Sequence, residues 1–282
     1  IAIASLGIFC LVAEIFNLRK IMVPVSVLGL LAILGLTLNF WTFSDTFDEQ
    51  YISMIASTDF SKAFISLFII LTIFILVMSE EFYKEHPTKF SDFIAIKLFL
   101  LTGAVAMVSF TNLSMFFLGI EILSIALYVL AASNRQNVRS NEAGMKYFLM
   151  GAFASGIILF GICLIYGATG YFDMVEIQAL SEGVGVPVWF PIGIALMIIG
   201  MLFKVAAVPF HFWAPDVYEG SPTITTATMS TLVKVVAFAA LYKLLDGLLT
   251  TISPKVQITI VVISILSMTV GNVMALRQKN VK

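Results

Sequence analysis

The chain has 282 residues, 60% of them hydrophobic and 12% charged, with a mean hydropathy of +1.03. Soluble domains carry roughly twice that charged fraction, so an ordinary water-soluble enzyme is excluded. Sixteen Lys and Arg against seventeen Asp and Glu leave a net charge of −1, too little positive field to hold nucleic acid by its phosphates.

The remaining polarity lies between long apolar runs, several near 20 residues, about the length of a helix crossing ~30 Å of hydrocarbon. The chain therefore reads as an all-α polytopic membrane protein with about nine transmembrane helices. The first run, residues 1–16, begins with Ile1 rather than Met and lacks a basic leader or small-residue cleavage site. It reads as a truncated first span, and the chain as a fragment. Residues 22–40 form the second helix, and a polar stretch over 41–60 follows with Asp45, Asp48, Glu49 and Asp59. Further helices are predicted over 61–78, 92–110, 113–132, 143–169, 187 to about 213, 222–245 and 255–276. Cys10 and Cys163 fall inside apolar runs, far apart, and read as small buried thiols rather than a disulfide framework.

Cytoplasmic loops carry the excess of Lys and Arg. One side of the bundle collects ten: Arg19, Lys20, Lys84, Lys89, Arg135, Arg139, Lys146, Arg277, Lys279 and Lys282. The other holds three, Lys62, Lys243 and Lys255. The first residue is thus expected outside and the chain end in the cytoplasm.

Five charged residues remain within the spans, Glu14, Lys97, Glu121, Lys204 and Lys234, where an ionised group costs at least ~2.5–3.5 kcal/mol. Glu14 and Lys97 lie near cytoplasmic helix ends and are expected to snorkel to headgroups or water. Glu121 and Lys234 sit centrally, too deep to snorkel. Either they fix helix packing as satisfied polar groups or they line a proton or ion pathway, and mid-membrane position favours the pathway.

Lys204 lies in a run of 27 residues, which as one straight helix would extend ~40 Å and must be tilted or broken. Pro209 supplies a break by leaving the carbonyl of Val205, four residues back, without its N–H partner. Broken helices at membrane depth mark ion sites in transporters. His211, seven residues after Lys204, shares its face if the helix stays regular and is a candidate proton relay, since imidazole titrates near ~6.5. A satisfied structural histidine is the equal alternative.

In the next helix, Ser221 reads as N-cap and Pro222 as first helical residue. The hydroxyls of Thr223, Thr225, Thr226, Thr228, Ser230 and Thr231 either bond back to the preceding turn or form a wettable wall leading to Lys234, the second being favoured because a charge needs hydration. Gly151, Ala152, Ala154, Ser155, Gly156 and Gly161 make a small-residue surface suited to close helix packing. The sequence has no G-x-G-x-x-G, phosphate-binding loop, C-x-x-C or cysteine cluster, so no nucleotide, redox cofactor or metal is expected in this chain.

The segments FLGIEILSIALYVLAA (117–132), EAGMKYFLMGAFASGIILFGICLIYGATG (142–170), FKVAAVPFHFWAPDVYEGSPT (203–223) and GNVMALRQKNVK (271–282) resemble the subunit N family of bacterial NADH:quinone oxidoreductase, respiratory complex I. The likeness covers most of the chain from Asp92 onward. One departure is visible: the usual P-T-P is here Pro222, Thr223, Ile224, which leaves the helix start intact. The related L and M subunits and the multisubunit cation/proton antiporters usually place a histidine where Lys234 stands and read H-S-W-L-P-D-A before it. Lys234 and HFWAPDVYEG (211–220) favour the N type.

The resemblance implies an antiporter-like helix bundle of inverted five-helix repeats, each with a proline-broken helix. Residues 1–91 would be three N-terminal helices, 92–245 the first repeat and proton half-channel, and 246–282 the opening helix of a second repeat. It further implies that Glu121, Lys204 and Lys234 carry proton translocation, with the lysine of the second repeat beyond Lys282. FMN, iron–sulfur clusters and quinone would belong to partner subunits, alongside paralogous antiporter-like subunits in the bacterial inner membrane. Glu121 and Lys204 are expected to form a switchable pair that releases its proton toward Lys234. A cation/proton antiporter subunit is the alternative, and a scaffold whose charges only fix packing is the third.

Overall fold

A hydrocarbon-length apolar run can satisfy its backbone only from within, and helices result. In the computed structural model, residues 1–16, 21–38, 54–84, 90–183, 187–248, 254–278, 280 and 282 are described. They form α1 (Ala2–Ile15), α2 (Met22–Leu38), α3 (Asp59–Lys84), α4 (Phe90–Ser109), α5 (Leu113–Ala131), α6 (Val138–Thr169) and α7 (Met174–Gly183). Then follow α8 (Trp189–Val205), α9 (Ala214–Gly220), α10 (Thr223–Ser230), α11 (Leu232–Leu248) and α12 (Pro254–Arg277). The helices α3, α4, α5, α6 and α12, and the α10–α11 pair taken together, are long and apolar enough to cross a membrane; α1, α2 and α8 are shorter apolar helices. Most of the polar stretch predicted over 41–60 lies outside the described residues.

Each of the nine predicted spans holds an apolar helix, with three corrections. The 187–213 run stops being helical at Val205, and the 222–245 run is interrupted at Thr231, whose φ of −106° and ψ of −84° fall outside the helical region. Ser221 is not an N-cap: α10 begins one residue later behind Pro222, whose carbonyl accepts from the N–H groups of Thr225 and Thr226, while the Ser221 hydroxyl is buried without a partner. Two short helices were not predicted, α7 and α9, because each follows a full span and carries too few apolar residues to stand out.

The core is layered on α4 and α5, with α1 behind α4 and α6 beside α5. The pair α6 and α8 packs backbone close to backbone: a Cβ built on Gly161 would lie 2.7 Å from the Gly193 carbonyl oxygen. Only glycine permits that backbone approach, which is how membrane helices gain dispersion energy without a hydrophobic drive between them. At one end of the bundle three connections are knitted by main-chain bonds. Thr111 N–H donates to Met54 O at 3.1 Å, Ala56 N–H to Ser109 O at 2.8 Å, and Leu113 N–H to Phe172 O at 2.9 Å. At the opposite end, Lys146 on α6 pairs with Glu142 at 2.8 Å and with Asp216 on α9 at 2.9 Å.

Two burial expectations fail. Lys97 does not snorkel: it is 2% exposed and its ammonium donates to Ser79 Oγ on α3, with the Tyr83 ring 5.7 Å away. A neighbouring helix, not the membrane surface, supplies its partner. Cys10 is buried beside Ser26 at 3.4 Å, but Cys163 faces outward from α6, on a side where apolar residues can meet lipid instead of core.

Candidate functional site

The site is built where α5, α8 and α11 meet. Glu121, Ser124 and Tyr128 follow the i, i+3, i+7 spacing that puts them on one stripe of α5. Ser124 is fully buried; its hydroxyl donates to the Ile120 carbonyl at 2.6 Å and accepts from Lys204 Nζ at 2.7 Å. Lys204, 7% exposed, also lies 5.9 Å from the Tyr128 ring centroid, within reach of its electron-rich face. Tyr128 can stand there because α6 carries glycine opposite: a Cβ on Gly151 would come within 2.2 Å of the Tyr128 hydroxyl.

No ion pair joins Glu121 to Lys204 among the described residues: the ammonium rests instead on Ser124, one turn along α5 from Glu121. Glu121 Oε1 is buried without a hydrogen-bond partner. A cavity of about 10 Å³ opens beside Ser124 and Lys204, walled by Met107, Ile120, Leu123 and Tyr147 and, on α11, by Val236. That volume suits about one water molecule.

The end of α8 accounts for its last four carbonyls completely. Ala206 takes the left-handed conformation, φ 63° and ψ 42°, which costs a non-glycine residue ~1–2 kcal/mol. In return its N–H bonds Phe203 O at 3.0 Å and that of Ala207 bonds Leu202 O at 2.9 Å, the pattern that closes a helix C-terminus. The two carbonyls left over, those of Lys204 and Val205, accept from Lys234 Nζ at 3.4 and 2.8 Å. The Val205 carbonyl is free because the helix already ends at Ala206, three residues before Pro209, and it is bound by the second lysine. Trp213 Nε1 adds a bond to Phe203 O at 3.0 Å, and the Lys234 ammonium lies 5.1 Å from the Trp213 ring centroid.

His211 is not brought to either lysine. Because the helix ends at Val205 the shared-face argument lapses, and His211 Nε2 sits 3.2 Å from Met274 Sδ on α12, with Nδ1 buried and unpartnered. The hydroxyl wall is also corrected. Thr225 bonds Leu130 O, Thr226 bonds Tyr218 O, Thr228 bonds Ile224 O, and Ser230 and Thr231 bond Ala227 O, so these side chains give their protons to carbonyls. Outside the spans, burial pushes the Tyr218 phenol on α9 up to about 12, which keeps it protonated. Among the described residues no group of His, Cys, Asp and Glu could hold a metal ion. Ser124 and Trp213 are the site residues that sequence reasoning missed; a serine one turn from a central glutamate was the available signal for the first.

Charged residues from three helices meeting at the end of a broken one, within a polytopic bundle, define an antiporter-like membrane subunit. Residues 110–282 match the family described as NADH:quinone oxidoreductase/Mrp antiporter, TM, and the chain belongs to it. It is 66% identical over 291 aligned residues to NADH-quinone oxidoreductase subunit N of Flavobacterium johnsoniae, covering 100% of this chain and 62% of that protein. The chain therefore spans about three fifths of the length of the curated relatives it matches. A chain of respiratory complex I from Thermus thermophilus superposes with a TM-score of 0.78 at 29% identity, over 100% of this chain and 60% of that one. A chain of the membrane-bound sulfane sulfur reductase, an archaeal respiratory membrane complex, gives 0.80 at 25% identity, over 100% and 61%.

Proposed function

We propose that this chain forms the first half-channel of a proton-translocating subunit N in a bacterial NADH:quinone oxidoreductase, with the site residues Glu121, Lys204 and Lys234. The observation that carries the reading is the bond from Lys234 Nζ to the free carbonyls of the helix that bears Lys204, which joins two midplane cations across a break. In the resting geometry Lys204 is parked on Ser124. A swing of one turn, ~4.5 Å along α5, would bring it to Glu121, where an ion pair at ~4 Å is worth ~4 kcal/mol at an effective dielectric near 20. Leaving that pair releases the proton toward Lys234 through the water-sized cavity.

In this reading residues 92–245 are the half-channel, 1–91 the flanking helices and 246–282 the start of a second repeat. The ten-to-three division of Lys and Arg supports an orientation with the first residue outside and the end of α12 in the cytoplasm of a bacterial inner membrane. NADH oxidation, quinone reduction and their FMN and iron–sulfur centres belong to partner subunits. The test is Glu121→Ala in the whole complex, measuring protons pumped per electron. Pumping should fall at least severalfold; an unchanged ratio overturns the role of Glu121.

The family's description also includes Mrp antiporters, so cation-driven proton exchange without electron transfer is the second reading. Co-purification with flavin and iron–sulfur subunits would exclude it. The close likeness to subunit N and a lysine at 234 favour the first.

A further inference from the structure

We infer that Trp213 is a positioning residue that ties the end of the helix bearing Lys204 to the ammonium of Lys234, an inference that rests on the proton-transfer reading of those two lysines. Trp213 is 2% exposed, and a buried indole N–H requires an acceptor. It finds one in the carbonyl of Phe203, the residue immediately before Lys204, at 3.0 Å. That bond fixes the plane of the ring. Tyr147 stacks on the ring with centroids 4.8 Å apart and planes 11° from parallel, and Tyr218 meets it edge-on at 6.0 Å.

The ring so fixed lies 5.1 Å from Lys234 Nζ. Among the described residues Lys234 has no carboxylate partner. Its charge is held by the carbonyls of Lys204 and Val205 and by this aromatic face, with the Tyr218 ring farther off at 6.0 Å. Three of its supports therefore belong to or hang from one helix end. A shift of the α8 terminus that carries Lys204 must move Phe203 O, and with it the indole, and with it the electrostatic seat of Lys234. Phenylalanine would keep a ring face without the N–H, and an aliphatic residue would keep neither, so the two contributions can be separated.

The experiment uses the whole complex in inverted membrane vesicles, comparing Trp213→Leu and Trp213→Phe for protons pumped per electron, with NADH oxidation by an artificial acceptor measuring assembled complex. Trp213→Leu is expected to pump about tenfold less, and Trp213→Phe to recover most of that loss. Equal impairment in the two variants would overturn the role of the ring face. Wild-type pumping in Trp213→Leu beside impaired Lys204→Ala and Lys234→Ala would overturn the inference and leave the reading of the lysines standing. Wild-type pumping in both lysine variants would overturn that reading and this inference with it. If Trp213→Leu does not assemble, Trp213→Met takes its place against Trp213→Phe with the same outcomes.

Discussion

Lys97 and Lys204 are both buried lysines whose ammonium rests on a serine of a neighbouring helix, Ser79 and Ser124 respectively. Each serine bonds back to the carbonyl four residues earlier, and each lysine has a tyrosine ring within 6 Å, at 5.7 Å for Lys97 and 5.9 Å for Lys204. What surrounds the two lysines differs. Lys97 lies mid-helix in an unbroken α4, and among the described residues it has no ion pair. Lys204 is one residue from the end of α8, rests on a serine one turn along α5 from Glu121, and is bonded through its own carbonyl to a second lysine. A buried lysine on a hydroxyl is thus a packing solution that this bundle uses twice. The carboxylate and the broken backbone are what make one of the two a candidate for moving protons.

The sharpest way to break that comparison is to remove each cation in the whole complex. Lys204→Ala should lower pumping per electron at least tenfold, while Lys97→Ala should leave the ratio within about twofold once assembly is accounted for, the lost ammonium costing packing and not transport. Equal losses would mean that the break and the carboxylate do not distinguish the sites. A nearly equal effect, on quantity of protein, is expected from Gly161→Leu, because the α6–α8 contact has no room for a side chain. Immunoblots of membranes should show the subunit depleted severalfold. Ser124→Ala should have a smaller effect: Lys204 loses its neutral partner, the Glu121 pair gains, and the pumping rate falls about fivefold, as expected for one hydrogen bond of ~1 kcal/mol. Smallest of all, Ser79→Ala should lower thermal stability by ~1–3 kcal/mol through the orphaned ammonium and leave the pumping ratio unchanged. A loss of pumping there would draw Lys97 into the pathway.

Much of the site was legible because charge is conspicuous in an apolar chain. Glu121, Lys204 and Lys234 stand out against a composition that is 12% charged; the helix end at Val205 was not legible, since a left-handed Ala206 and not Pro209 closes it. The break at Thr231 was not legible, since no Pro or Gly marks it and the Thr231 hydroxyl bond to Ala227 O forms only once the helix is built. Ser124 and Trp213 look like any serine and tryptophan in a span. They gain their roles from facing Lys204 and Lys234, 80 and 21 positions away in the chain.

By itself the sequence determined the class of protein, the apolar runs that become helices and the charged positions within them, because burying charge in hydrocarbon has a large cost that leaves its mark locally. Which side of each helix faces a neighbour was decided only by the tertiary structure. In a membrane, lipid and core are both apolar, so the faces of α6 that carry Cys163 and Gly161 are nearly indistinguishable by hydrophobicity. Close approach of backbones at glycine and the search of each buried ammonium for a partner made that choice, and with it set Lys97 on Ser79, Lys204 on Ser124 and Lys234 on the open end of α8.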